Sequence, residues 1–257
     1  MYYLFGNWKM NFTEEEALRQ LQRLQAGVEK GSFSGIQFGL FPSALFLSKM
    51  KDALGRKKKI LLGAQHMYFE QSGGYTGETS PLMLAKKATH TLVGHSERRV
   101  YFAMTDEHVS LTVRAALDNR LSPVVCIGEN EQDYRSGATY KVLRQQLKTA
   151  LHDVSARQLE RVIIAYEPLW AISTLSSSPS VPTEDEIVST MLWLRKELRL
   201  LYSSSVSLKT PLLYGGSVNA ENIATFVGPN KMDGALVGGA SLDSSSFLRM
   251  ANVLKQQ

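Results

Sequence analysis

The sequence predicts an α/β protein: a single (β/α)8 barrel over residues 1–257, with a parallel eight-stranded barrel inside and helices outside. Three observations carry that prediction. Short apolar runs alternate with amphipathic stretches along the whole chain, as in a parallel sheet covered by helices. The alternation repeats eight times in 257 residues, which is the arithmetic of a closed barrel. The turn after the first run reads Trp8-Lys9-Met10-Asn11, where an open doubly wound sheet usually carries a Gly-rich turn.

Tyr2 to Trp8 reads as the first strand. Thr13 then opens a helix with capping-box spacing to Glu16, and Ala17, Leu21, Leu24 and Val28 fall on one face. Ile36 to Phe41 is the second strand and Ser43 to Leu54 its helix. Ile60 to Gln65 is the third, followed by a Gly-rich loop, Gln71 to Gly77, and a short helix from Ser80. His90 to Val93 is the fourth, with a helix near Glu107 to Leu117. Val124 to Ile127 is the fifth, and its helix carries Leu143, Leu147 and Leu151.

The sixth unit is the most informative. Val162, Ile163, Ile164 and Ala165 form a strand buried on both faces. It ends in Glu167, which Pro168 holds extended and away from any helix start. A Ser-rich segment of about 15 residues follows, a length typical of lids and binding loops. The next helix opens at Thr183 with capping-box spacing to Glu186, and carries Ile187, Met191, Leu194, Leu198 and Leu201 on one stripe. Leu212 to Tyr214 and Ala235 to Val237 are strands seven and eight, each followed by a helix.

Composition narrows the class. A chain 44% apolar can bury a full core as one domain. Cys126, the one cysteine, excludes an intramolecular disulfide and points to a reducing, cytoplasmic compartment. No apolar run approaches the length of a membrane span, and no secretory leader is visible. A net charge of +5 favours anionic ligands. The cations are scattered, with Arg56 to Lys59 as the one run, which reads as a solvated loop and not a nucleic-acid site.

Barrel enzymes keep their chemistry at the C-terminal ends of the strands. Those ends carry Asn7 and Lys9 (first), His95, Ser96 and Glu97 (fourth) and Glu167 (sixth). A rim Lys alone is more often a solvated charge, and a lone His more often structural. A base, an imidazole and a lysine converging on one rim favour function. Gly215-Gly216-Ser217 and Gly238-Gly239, after strands seven and eight, let a ligand approach backbone N–H groups, which favours phosphate.

Six motifs then resemble one family. They are Gly6-Asn7-Trp8-Lys9-Met10-Asn11, Val93-Gly94-His95-Ser96-Glu97-Arg98-Arg99, Cys126-Ile127-Gly128-Glu129, Ala165-Tyr166-Glu167-Pro168, Tyr214-Gly215-Gly216-Ser217-Val218 and Val237-Gly238-Gly239-Ala240-Ser241. In this order they are similar to the motifs of triosephosphate isomerases, the family after which the TIM barrel is named. The resemblance implies interconversion of dihydroxyacetone phosphate and D-glyceraldehyde 3-phosphate through an enediolate, without metal or organic cofactor. It implies that Glu167 moves the carbon-bound proton, that His95 acts as a neutral electrophile, and that Lys9 with Asn7 stabilises negative charge, supported by Glu97. Ser173, Ser217, Gly238 and Gly239 would bind phosphate. Pro168 to Trp170 would be the lid hinge, with Ile172 and Leu236 clamped over the base. Gln65 and the loop around Thr76 would build a homodimer.

The lid departs from the family pattern, Ala-Ile-Gly-Thr/Ser-Gly-Lys. It reads Ala171-Ile172-Ser173-Thr174-Leu175-Ser176, with Ser177, Ser178, Pro179 and Ser180 following, so both glycines and the lysine are missing. Side chains at 173 and 175 restrict the backbone. The expectation is a lid open or poorly ordered after Ile172, and an enzyme that leaks some intermediate to phosphate elimination. On the lid alone, two alternatives stay open: a catalytically weak phosphate-sugar binder or interaction protein, and an isomerase of another phosphorylated sugar.

Overall fold

In a computed structural model, residues 1–55, 59–175 and 180–257 are described. The run Arg56–Lys59, except Lys59, and the stretch Ser176–Pro179 lie outside them. Eight parallel strands close into a barrel in sequence order, β8 pairing back onto β1. They are β1 (Tyr2–Asn7), β2 (Ile36–Phe41), β3 (Ile60–Ala64), β4 (His90–Val93), β5 (Ser122–Ile127), β6 (Ile163–Tyr166), β7 (Leu212–Tyr214) and β8 (Gly234–Val237).

The long helices start where the sequence provides caps. Thr13 and Thr183 close capping boxes with Glu16 and Glu186, opening α1 (Glu14–Gly31) and a second helix, Glu184–Leu201. Each places an apolar stripe on the barrel: Ala17, Leu21, Leu24 and Val28 on the first; Ile187, Met191, Leu194 and Leu198 on the second. Leu201 leaves that stripe and is 37% exposed, because the helix ends there. The helix expected over Ser43–Leu54 divides into a 3-10 turn, Ala44–Phe46, and α2 (Leu47–Leu54). After Ser80, which caps it, comes α3 (Pro81–Leu84). A helix that the periodicity does not show, α4 (Ser96–Tyr101), starts directly after His95, and α5 (Asp106–Asp118) follows.

The core has two layers. Strand residues facing outward pack under the helices. Phe5, Phe41, Leu92, Val124, Cys126, Ile163, Ala165, Leu213 and Leu236 fill the barrel itself. Side chains alternate along a strand, so this inner parity predicts what reaches the mouth. Ile163 and Ala165 point in, and Glu167 continues their series. Phe5 is followed two residues on by Asn7, Leu213 by Gly215 and Leu236 by Gly238. The fold therefore aims Asn7, Glu167 and two glycines at one opening. No described helix is long and apolar enough to cross a membrane.

At the opposite end, His90 begins β4, with its ring 5.8 Å from that of Phe5. Burial first, and Arg161 second, push its pKa from 6.5 down to about 4. The fold thus prefers neutral His90, whereas the unfolded chain takes up a proton below about pH 6.5. Stability from this group is full above pH 6.5 and is lost as pH falls towards 4, by about 1.4 kcal/mol per pH unit. Urea unfolding at several pH values should show that slope, and His90→Phe should flatten it.

Candidate active site

β1 runs straight into the site. Lys9 sits at φ 51°, a left-handed conformation unfavourable for a side chain with a Cβ. Neighbours hold it there: Asn7 Oδ1 accepts from Lys9 N–H at 3.0 Å, and Gln65 Nε2 donates to the Lys9 carbonyl at 2.7 Å. Asn7 and Gln65 thus act on Lys9 through its backbone. Such local strain is typical of functional positions, where the surroundings over-determine it. The Lys9 ammonium is paired with Glu97 Oε1 at 2.6 Å.

His95 caps α4. The Glu97 backbone N–H donates to His95 Nδ1 at 3.3 Å, so Nδ1 is an acceptor and the neutral ring carries its proton on Nε2. That Nε2 is 3.6 Å from Glu167 Oε1. The other Glu167 oxygen, Oε2, accepts from the Ser96 backbone N–H at 2.9 Å. Glu167 is 1% exposed, and Oε1 has no hydrogen-bond partner among the described residues. A buried carboxylate oxygen left this way is costly and calls for a functional reason. Burial raises the Glu97 carboxyl, but the hydrogen bond and charge of Lys9, with a hydrogen bond from Thr174, outweigh it and hold the group below its usual range.

Two glycines are needed to place the base. A Cβ on Gly128 would lie 1.8 Å from the Glu167 carbonyl oxygen, a backbone contact that cannot yield. A Cβ on Gly215 would lie 2.6 Å from Glu167 Cγ. Sequence reasoning assigned Gly215 to ligand approach alone and missed that it makes room for the base. At Gly238 and Gly239 the reading of open backbone fits: a Cβ there meets nothing closer than Lys9 Cε at 3.6 Å, or nothing at all.

A cavity of about 520 Å³ opens at this end of the barrel. Asn7, Lys9 and His95 line one side; Ser217, Gly238 and Gly239 line another; Ile172, Ser173 and Leu236 complete it. These residues come from the ends of β1, β4, β7 and β8 and from the lid, and they meet in one cavity wall. Glu167 stands behind this lining, beside His95 and Ser96. Thr76 and Gln65 are not part of the cavity wall, and Thr76 is exposed.

The segment after Pro168 differs from the structureless loop expected. Pro168 caps a 3-10 turn, Leu169–Ala171, because proline's restriction falls on Glu167 and leaves the residues after it free to turn. Trp170 is buried, and its indole Nε1 donates to Glu129 Oε1 at 2.8 Å, which also accepts from Tyr166 OH at 3.0 Å. Glu129 follows β5 by two residues. It was visible in a motif, but no pattern identified it as the hinge's acceptor. As far as Leu175 the lid is seated on the rim; the rest of the stretch expected to be open or poorly ordered, Ser176–Pro179, lies outside the described residues. Ile172 is buried, Ser217 Oγ donates to the Ala171 carbonyl at 2.9 Å, and Thr174 hydrogen-bonds to Glu97 and Tyr101. Side chains at 173 and 175 have not prevented this seating, since neither residue has positive φ.

A closed parallel barrel with a carboxylate, an imidazole and an ammonium gathered at a cavity at the C-terminal ends of its strands has the layout of a barrel enzyme, and no described cluster of side chains could hold a metal. The triosephosphate isomerase family profile matches residues 2–254. A triosephosphate isomerase of Dehalococcoides mccartyi is 40% identical over 98% of this chain and 97% of its own length. One from Clostridium botulinum is 38% identical over 96% and 97%. The crystal structure of triosephosphate isomerase from Bartonella henselae superposes with a TM-score of 0.86, at 33% identity and 98% coverage of both chains. The chain belongs to the triosephosphate isomerase family and is an isomerase of triose phosphates.

Proposed function

We propose that Glu167 carries a proton between C1 and C2 of dihydroxyacetone phosphate and D-glyceraldehyde 3-phosphate, with residues 1–257 acting as one catalytic domain. The observation that supports this best is the unpartnered Glu167 Oε1, 3.6 Å from the His95 Nε2 that bears the proton. A ketose bound in the cavity would place its C1 and C2 oxygens at His95 and Lys9, and its phosphate at Ser173, Ser217, Gly238 and Gly239. To reach C1, the Glu167 side chain must leave the Ser96 N–H and move forward past His95. It takes the C1 proton, and electrons pass to the C2 oxygen, giving an enediolate. The His95 Nε2–H moves protons between the two oxygens, and the Lys9 ammonium offsets the negative charge. Glu167 then returns the proton to C2, so it ends as it began. Ile172 and Leu236, both buried, keep water from the intermediate. A coupled assay with glyceraldehyde 3-phosphate tests this reading: turnover supports it, and binding without turnover would favour a phosphate-sugar binder.

The substrate is a small phosphorylated triose, and a homodimer in the cytoplasm is the proposed state. Leu45, Leu82, Met83 and Phe102 are at least 59% exposed, on loops and helices that follow the neighbouring strands β2, β3 and β4. Apolar surface gathered on one side of a rim is typical of an interface. Thr76 lies in the loop between β3 and α3, on that side. Thr76→Arg should therefore give inactive monomers by sedimentation. A monomeric unmodified protein would refute the dimer. The buried reduced thiol of Cys126 suits a cytoplasmic location.

A further inference from the structure

Thr174 is fastened to the catalytic rim at two points. Its hydroxyl donates to Glu97 Oε1 at 3.0 Å, the oxygen that also takes the Lys9 ammonium at 2.6 Å. Its carbonyl accepts from Tyr101 OH at 3.2 Å. Glu97 and Tyr101 are four residues apart on α4, so one face of that helix carries both anchors. The start of the same helix is capped by His95. Thr174 of the lid is therefore seated on the element that positions the electrophile, and it shares an acceptor with the cation.

We propose that Thr174 is a positioning residue that couples the seated lid to Lys9 through Glu97. This rests on the role proposed above for Lys9. In the structure, Glu97 holds Lys9 by a charge-assisted bond, the strong kind. To offset charge on an enediolate oxygen, Lys9 must turn a hydrogen bond from Glu97 to the substrate. That leaves a half-buried carboxylate short of a donor, which is costly. The Thr174 hydroxyl supplies a donor to the same oxygen, and only while the lid is seated. A seated lid thus eases the release of Lys9 towards substrate, and an unseated lid leaves Lys9 tied to Glu97. The connection uses a side chain and a carbonyl of one residue, so it does not depend on the glycines missing from positions 173 and 175.

The test is a double-mutant cycle with Thr174→Val, Glu97→Gln and the pair, plus Thr174→Ser, read by the coupled assay and by thermal unfolding. Thr174→Val should lower kcat/KM about tenfold, the low end for a hydrogen bond to a charged group, with an unchanged melting temperature. Thr174→Ser should keep wild-type kcat/KM. In the Glu97→Gln background, the further loss from Thr174→Val should be less than about twofold, because neighbouring groups that act together are non-additive. The same tenfold loss in both backgrounds, wild-type kcat/KM in Thr174→Val, or a Thr174→Ser as slow as Thr174→Val would each overturn the coupling. Wild-type activity in Lys9→Ala would instead sink the reading of Lys9, and the coupling with it. Additive losses alongside an inactive Lys9→Ala would sink the coupling alone.

Discussion

Glu167→Gln is expected to leave the barrel folded and to lower kcat by about 10²- to 10⁴-fold, the range for losing a general base. The amide keeps the shape and the acceptor that meets the Ser96 N–H, but it cannot take a proton from carbon. The site leaves little room for a substitute. The other carboxylate near His95 is Glu97, and its Oε1 is occupied by Lys9 and Thr174. Steady-state kinetics with circular dichroism as the folding control decides the matter. Wild-type kcat in a folded variant would remove Glu167 from the mechanism.

Lys9→Ala is expected to lower kcat/KM by about 10²- to 10³-fold, as for removing one preorganised donor to a developing negative charge. The backbone at position 9 is gripped by Asn7 and Gln65, not by the ammonium, so its unusual conformation should survive the truncation. An alkylammonium ion added to the assay can then enter the space left beside Glu97 and restore part of the rate. Wild-type kcat/KM without rescue would show that Lys9 is only a rim charge.

The strands were legible because their runs are apolar and their parity is strict. Glu167 was legible as the end of the apolar run Val162–Ala165, and the inward parity of Ile163 and Ala165 that aims it is seen in the structure. The long helices were legible from Thr13 with Glu16 and from Thr183 with Glu186, where a local hydrogen-bond pattern marks the start. What escaped was short. Helix α4 has six residues, too few for an apolar period, and its N-cap is a histidine, not one of the usual capping residues. The steric need for Gly215 also escaped, since it depends on where the Glu167 side chain lies and not on local sequence. The contacts of Ala171 and Thr174 escaped for a related reason. Loss of glycine is a local argument, whereas the seating of Thr174 depends on Glu97 and Tyr101, more than 70 residues away.

The most direct measurement of the central claim follows the carbon-bound proton. Glyceraldehyde 3-phosphate is converted by the enzyme in D₂O, and the dihydroxyacetone phosphate formed is examined by NMR for deuterium at C1. A proton held on a carboxylate during the enediolate step can exchange with solvent, so the account predicts product carrying deuterium at C1, formed far more slowly by Glu167→Gln. Product from the unmodified enzyme with no deuterium at C1 would mean that hydrogen passes directly between the carbons, and would contradict the account.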